Sequence, residues 1–164
     1  MTTPRSARRT TLHIGVDHTT VTADNGTAAP EAIRLLIGSG KTASDFFKHT
    51  PPTPLEMENA IMAVEDEVTR ARPLASPHSP LHTGDEAIRA MALLAGIANR
   101  EQGMTLTVEV VERLFDSLAA VTLGRPAASS SLPTDTRFAA TLLILREFMH
   151  HLQSDSITID TGRG

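Results

Sequence analysis

The sequence has no cysteine, no tryptophan and no tyrosine. Without Cys, the chain has no disulfide, thiol nucleophile, iron–sulfur cluster or Cys-ligated zinc. Aromatic residues make up 3% of the chain, so the stacking platforms that hold single-stranded nucleic acid and sugars are missing. Lysine occurs only at positions 41 and 48, and the formal net charge is −4. Phosphate-backbone binding needs a clustered excess of cations, so nucleic acid is excluded as a partner. No apolar run reaches the eighteen residues that a membrane-spanning helix requires. The basic start around Arg5, Arg8 and Arg9 is not followed by the long apolar stretch of an export signal, because Asp17 and His18 come directly after residues 12–16. What remains is the expectation of a cytoplasmic chain with no membrane partner.

What is present suits one folded unit. Hydrophobic residues are 40% of 164 and charged residues 21%, with a mean hydropathy of −0.09. That balance supports a real core and argues against disorder. The expected organisation is a flexible basic N-terminus at 1–10, a single α+β domain at 11–160 and a flexible tail at 161–164.

Residues 11–16 alternate apolar and polar side chains, and residues 19–23 are rich in Thr and Val. The pair predicts a hairpin through Asp17 and His18. Pro30 near a first turn predicts a helix over 30–37, closed by Gly38 and Gly40. Thr53-Pro54-Leu55-Glu56 is a capping box, opening a helix to about Arg72 with Met57, Ile61, Val64 and Val68 on one face. The three prolines of 72–83 predict an extended loop. Thr83 repeats the capping logic for a helix at 84–99, whose apolar content suggests the centre of the fold. Thr107 caps a further helix stopped by Gly124. A last helix from Pro133 and Thr134 carries Phe138, Leu142, Leu145, Met149 and Leu152 as its inward stripe. Residues 156–160 alternate as a strand and predict pairing with the N-terminal hairpin, whose edge is otherwise unpaired. The fold class expected is α+β, a mainly helical bundle of four to five helices with a small antiparallel sheet from the N-terminal hairpin and the C-terminal strand.

Four stretches bear on chemistry. Ile37-Gly38-Ser39-Gly40-Lys41-Thr42 ends like a phosphate-binding loop, but Leu35 stands where the first glycine is needed, and a preceding strand is not expected. ATP or GTP binding is therefore not expected. Gly15-Val16-Asp17-His18-Thr19-Thr20 resembles the first phosphate motif of actin-like kinases. His18 replaces that motif's Gly and the chain is too short for two lobes, so the stretch is taken as hairpin. Glu147 and His150 have the E-x-x-H spacing of di-iron bundles without a second copy. His78, His82, His150 and His151 make a zinc or nickel site with Asp155 if the proline-rich loop folds back over the last helix; otherwise His150 and His151 simply suit a helix C-terminus. No G-x-S-x-G elbow is present, and Glu65, Asp66 and Glu67 point in different directions.

No motif implies a catalytic residue or a cofactor. The apolar surplus on the helices at 84–99 and 134–152 predicts a non-catalytic protein acting through self-association or a protein partner. The form expected is a homodimer, with Leu143, Ile144 and Phe148 at the interface. The alternatives are a metal-dependent enzyme or metal-binding protein using the histidine cluster, and a small-ligand binder with a pocket between helices and sheet.

Overall fold

A computed structural model describes residues 9–24, 26, 29–75, 78–126 and 131–160. The segments expected to be flexible, 1–10 and 161–164, lie outside the described residues except for Arg9 and Thr10. The core of the molecule is a mixed six-stranded sheet with five helices packed on it, an α/β arrangement that overturns the expected helical bundle. In chain order the elements are β1 (Arg9–Ile14), β2 (Thr19–Asp24), β3 (Glu31–Leu35), α1 (Ser39–Phe46), α2 (Pro54–Thr69), β4 (Leu81–Thr83), α3 (Glu86–Leu94), β5 (Met104–Thr107), α4 (Val108–Thr122), α5 (Thr136–His151) and β6 (Ser156–Ile159). The strand order is β3-β2-β1-β4-β6-β5. β1, β2 and β3 form an antiparallel meander, β4 and β6 continue it in parallel with β1, and β5 closes the far edge antiparallel to β6.

The hairpin of β1 and β2 forms where alternation predicted it, with Leu12 opposite Val21 and Ile14 opposite Thr19. Three strands were not legible as such. Residues 31–35 pair with β2 from Glu31–Ala23 to Leu35–Thr19, so the expected helix at 30–37 is an edge strand instead. β4 and β5 are only three and four residues long, too short to show a period. β6 is the expected strand, but its neighbours are β4 and β5 rather than the hairpin.

Every strand has an apolar side: Leu12, Ile14, Val21, Leu35, Leu81, Met104, Leu106, Ile157 and Ile159 belong to one core with the helices. The opposite side carries Thr11, His13, Thr20, Thr22, His82, Thr105 and Thr158, exposed or half-buried. A sheet with one covered and one polar side produces this period-two alternation.

α5, not α3, is the centre. It packs against α1, α2 and α4, and Ala139 through Leu145 and Glu147 through Met149 are all buried. Leu143, Ile144 and Phe148 are each 0% exposed, so they pack inside the chain rather than against a partner. The single core that α5 shares with the other helices and the strands takes up these apolar side chains. α3 is shorter than expected because Gly96, at φ 84°, ends it; that left-handed conformation suits glycine just past a helix. Thr83, expected to cap α3, is instead a buried strand residue, and Asp85 occupies the cap position. Thr53 and Thr107 do cap α2 and α4, and at α2 both halves of the capping box form. Among the described residues no helix is long and apolar enough to cross a membrane.

Candidate functional site

The turn between β1 and β2 organises an open cleft. Gly15 N–H donates to His18 C=O at 2.8 Å, closing the turn. α1 begins directly against it: the N–H of Ser39 donates to Gly15 C=O, and those of Gly40 and Lys41 donate to Val16 C=O. Gly38 is needed for this approach, since a Cβ there would lie 2.3 Å from the Val16 carbonyl oxygen. The glycines of the apparent phosphate loop therefore open a helix instead of closing one. A strand, a turn and a helix do surround the sequence, contrary to expectation. Yet the helix N–H groups that would cradle a phosphate already have carbonyl acceptors. The Lys41 ammonium is held by Asp45 at 2.7 Å. That bond, then the charges of Asp45 and Asp17, keeps Lys41 above its ordinary pKa.

Beside the turn lies a cleft of about 560 Å³ lined by His13, Asp17, His18, Thr20 and Arg34, with Gly15, Val16, Ala32 and Ile33. β1 turns His13 to the polar side of the sheet, opposite Thr20 of β2. Asp85, at the start of α3, anchors it. One carboxylate oxygen is 2.6 Å from His13 Nδ1 and the other accepts the Ile14 N–H at 2.7 Å. The Asp85 side chain is 8% exposed and that of His13 is 66% exposed, so a nearly buried carboxylate holds an accessible imidazole. An ionised carboxylate only accepts hydrogen bonds, which places the proton of neutral His13 on Nδ1 and leaves the Nε2 lone pair free. His18 is set the opposite way. Arg34 lies 3.0 Å from His18 Nδ1; a guanidinium only donates, so neutral His18 carries its proton on Nε2. The cleft thus offers N–H donors from Arg34 and His18 and a proton acceptor from His13.

The histidines singled out from sequence are not gathered into one group. His78 is exposed in the loop before β4. His82 lies on the polar side of β4, its Nδ1 buried, without a hydrogen bond and 3.5 Å from Asp160. His150 pairs with Glu112 of α4, which also takes Arg146 at 3.1 Å. His151 faces the other way, 3.2 Å from Glu147 and 3.3 Å from Glu65. Glu65, Glu147 and His151 could offer one ligand atom each to a metal, all within 4.8 Å of one another. Two cations already serve that group: Arg72 donates to His151 Nδ1 at 3.1 Å, and Arg146 meets Glu147 at 3.1 Å. The E-x-x-H pair is therefore split, and the carboxylate next to His151 is the one four residues earlier.

Sequence reasoning passed over His13, His18, Arg34 and Asp85. The usable signal was the resemblance in residues 15–20 to a phosphate motif, together with the outward position of His13 in the alternation of β1.

No family model matches the sequence and no curated protein is similar to it. Among solved structures, the Ppx/GppA phosphatase of Aquifex aeolicus superposes with a TM-score of 0.76 at 18% identity, over 94% of this chain and 53% of that one. An exopolyphosphatase-like protein gives 0.71 at 14% identity, over 94% and 54%. An exopolyphosphatase from Cytophaga hutchinsonii gives 0.62 at 15%, over 94% and 53%. The likeness is one of fold, and the chain spans about half the length of these proteins. It tells against the expectation of a non-catalytic protein, since the solved structures that superpose are described as Ppx/GppA phosphatases and exopolyphosphatases.

Proposed function

We propose that the chain is the phosphate-handling part of a phosphohydrolase, binding a phosphoanhydride such as inorganic polyphosphate in the cleft at the β1–β2 turn. The observation that carries the reading is the cleft itself. Arg34 and His18 are coupled at 3.0 Å and line it together with His13, on a fold shared with phosphatases and exopolyphosphatases. Guanidinium and imidazole N–H groups are matched to phosphate oxygens, and charge-assisted bonds of this kind are the strong ones. The role of Arg34 is to hold a terminal phosphate, that of His18 to donate its Nε2–H to a phosphate oxygen. The test is phosphate release from inorganic polyphosphate by the purified chain. Saturable release, reduced tenfold or more in Arg34→Ala, is the expected result. No release by the wild type, or release indifferent to Arg34, overturns the reading.

A further inference from the structure

We infer that His13 is the general base of this site and that Asp85 is its positioning residue. The inference rests on the phosphohydrolase reading and adds the group that moves the proton. Three observations converge on it. The His13 side chain is largely exposed and lines the cleft. Its Nδ1 is fixed by a carboxylate 2.6 Å away. That carboxylate is itself immobilised, because its second oxygen accepts the Ile14 backbone N–H at 2.7 Å on the neighbouring residue of β1. A base held on a strand by a buried acid cannot rotate away from its task, and its free nitrogen is selected in advance. The cap position explains why Asp85 is available. Although it starts α3, its side chain makes no capping bond, so the carboxylate serves β1 instead of its own helix.

The step balances within the site. Nε2 of His13 takes a proton from water as the water oxygen bonds to the terminal phosphorus. The phosphorus–oxygen bond of the anhydride breaks, and its electron pair leaves on the shortened phosphate chain. The imidazolium so formed faces the Asp85 carboxylate, while Arg34 and His18 hold the phosphate oxygens. The other charged or titratable groups sharing the cleft are Asp17 and His18 on the turn and Arg34 on β3. General bases of this kind contribute roughly 10²–10⁴-fold to rate.

Three measurements on the purified chain test it together: phosphate release from polyphosphate, its pH profile, and nitrogen NMR of the imidazoles. His13→Asn should lower kcat by about 100-fold or more with KM within about threefold, and should remove the acid limb of the pH–rate profile. Asp85→Asn should lower kcat by a smaller factor, since the amide no longer enforces one tautomer. In the wild type, neutral His13 should carry its proton on Nδ1, and this preference should weaken in Asp85→Asn. An active wild type with an unaffected His13→Asn overturns the inference and leaves the functional reading standing. So does a His13 protonated on Nε2. A wild type that releases no phosphate at all overturns the functional reading, and this inference with it.

Discussion

Of the histidines that sit against carboxylates, His13 and His151 differ most, and the difference between them separates the proposed working site from a structural one. His13 meets a single acid, Asp85, through Nδ1, and its other nitrogen is left to the cleft. His151 lies between α2 and α5 with both nitrogens engaged: Arg72 on Nδ1, Glu65 and Glu147 on Nε2. In the first pair the acid is buried and the base accessible. In the second the imidazole is itself 15% exposed, and it closes an ion-pair network around a buried Glu147. Residue type is the same in both; the free lone pair is what gives His13 chemistry. An imidazole that shields a buried carboxylate contributes to stability, whereas one that keeps a nitrogen free contributes reactivity.

The largest break comes at the helix under the structural pair. Ile144 is wholly buried on α5, and Glu147 on the same helix is tolerated because Arg146 and His151 answer its charge. Ile144→Asp has no such partner. An unpaired buried charge costs several kcal/mol or more, so this variant should lack a cooperative unfolding transition by circular dichroism. A folded monomer would mean that Ile144 faces outwards. Next in size is the pair itself. His151→Ala should destabilise by about 2 kcal/mol in denaturant melts, within the range for leaving one oxygen of a buried carboxylate without its partner. His13→Ala should stay within about 0.5 kcal/mol, as for an exposed side chain. Equal losses would mean that the two histidines play the same part in stability.

The contact between His49 and Glu56 sharpens the contrast from the exposed end. Glu56 accepts the N–H of Thr53 and of Lys48 and lies 3.2 Å from His49. These bonds, the one from the Thr53 N–H first, pull its pKa from 4.5 down to about 2. The carboxylate form is the one bound in the folded chain, so its contribution is complete above pH 4.5 and fades as pH falls through about 2. The stability gap between wild type and Glu56→Gln should therefore be present at pH 7 and close near pH 2. Thr53→Ala, which removes the other half of the box, should cost ~1 kcal/mol. A gap that stays constant with pH would show that the box, and not the charge, is all that matters there.

How far the sequence could be read depended on element length and on partners distant in the chain. The hairpin, α2, α4 and α5 carry their own signals in alternation, capping and stripe. β4 and β5 have three and four residues, and they are strands only because β1 and β6 lie alongside. β3 lost its identity to Pro30 and to an apolar run that suits a helix equally well, until β2 supplies its partner. Those three strands turn a presumed bundle into a sheet protein, and the error propagated to function. Without a sheet in the core, Leu143, Ile144 and Phe148 exceed what a small bundle buries and point to a partner; in the six-stranded fold all three are buried within the chain. The candidate site was hidden for the same reason. His13 and Asp85 are 72 residues apart, and no local spacing joins them.

The central claim is that phosphate groups bind at the β1–β2 turn and not at the other charged groups. The direct measurement is NMR titration of the purified chain with tripolyphosphate. The account predicts saturable shifts centred on His13, Asp17, His18 and Arg34, abolished by Arg34→Ala and unchanged in Lys41→Ala, with His151 silent. Shifts centred on Arg72 and His151, or no saturable change at the turn, would contradict it.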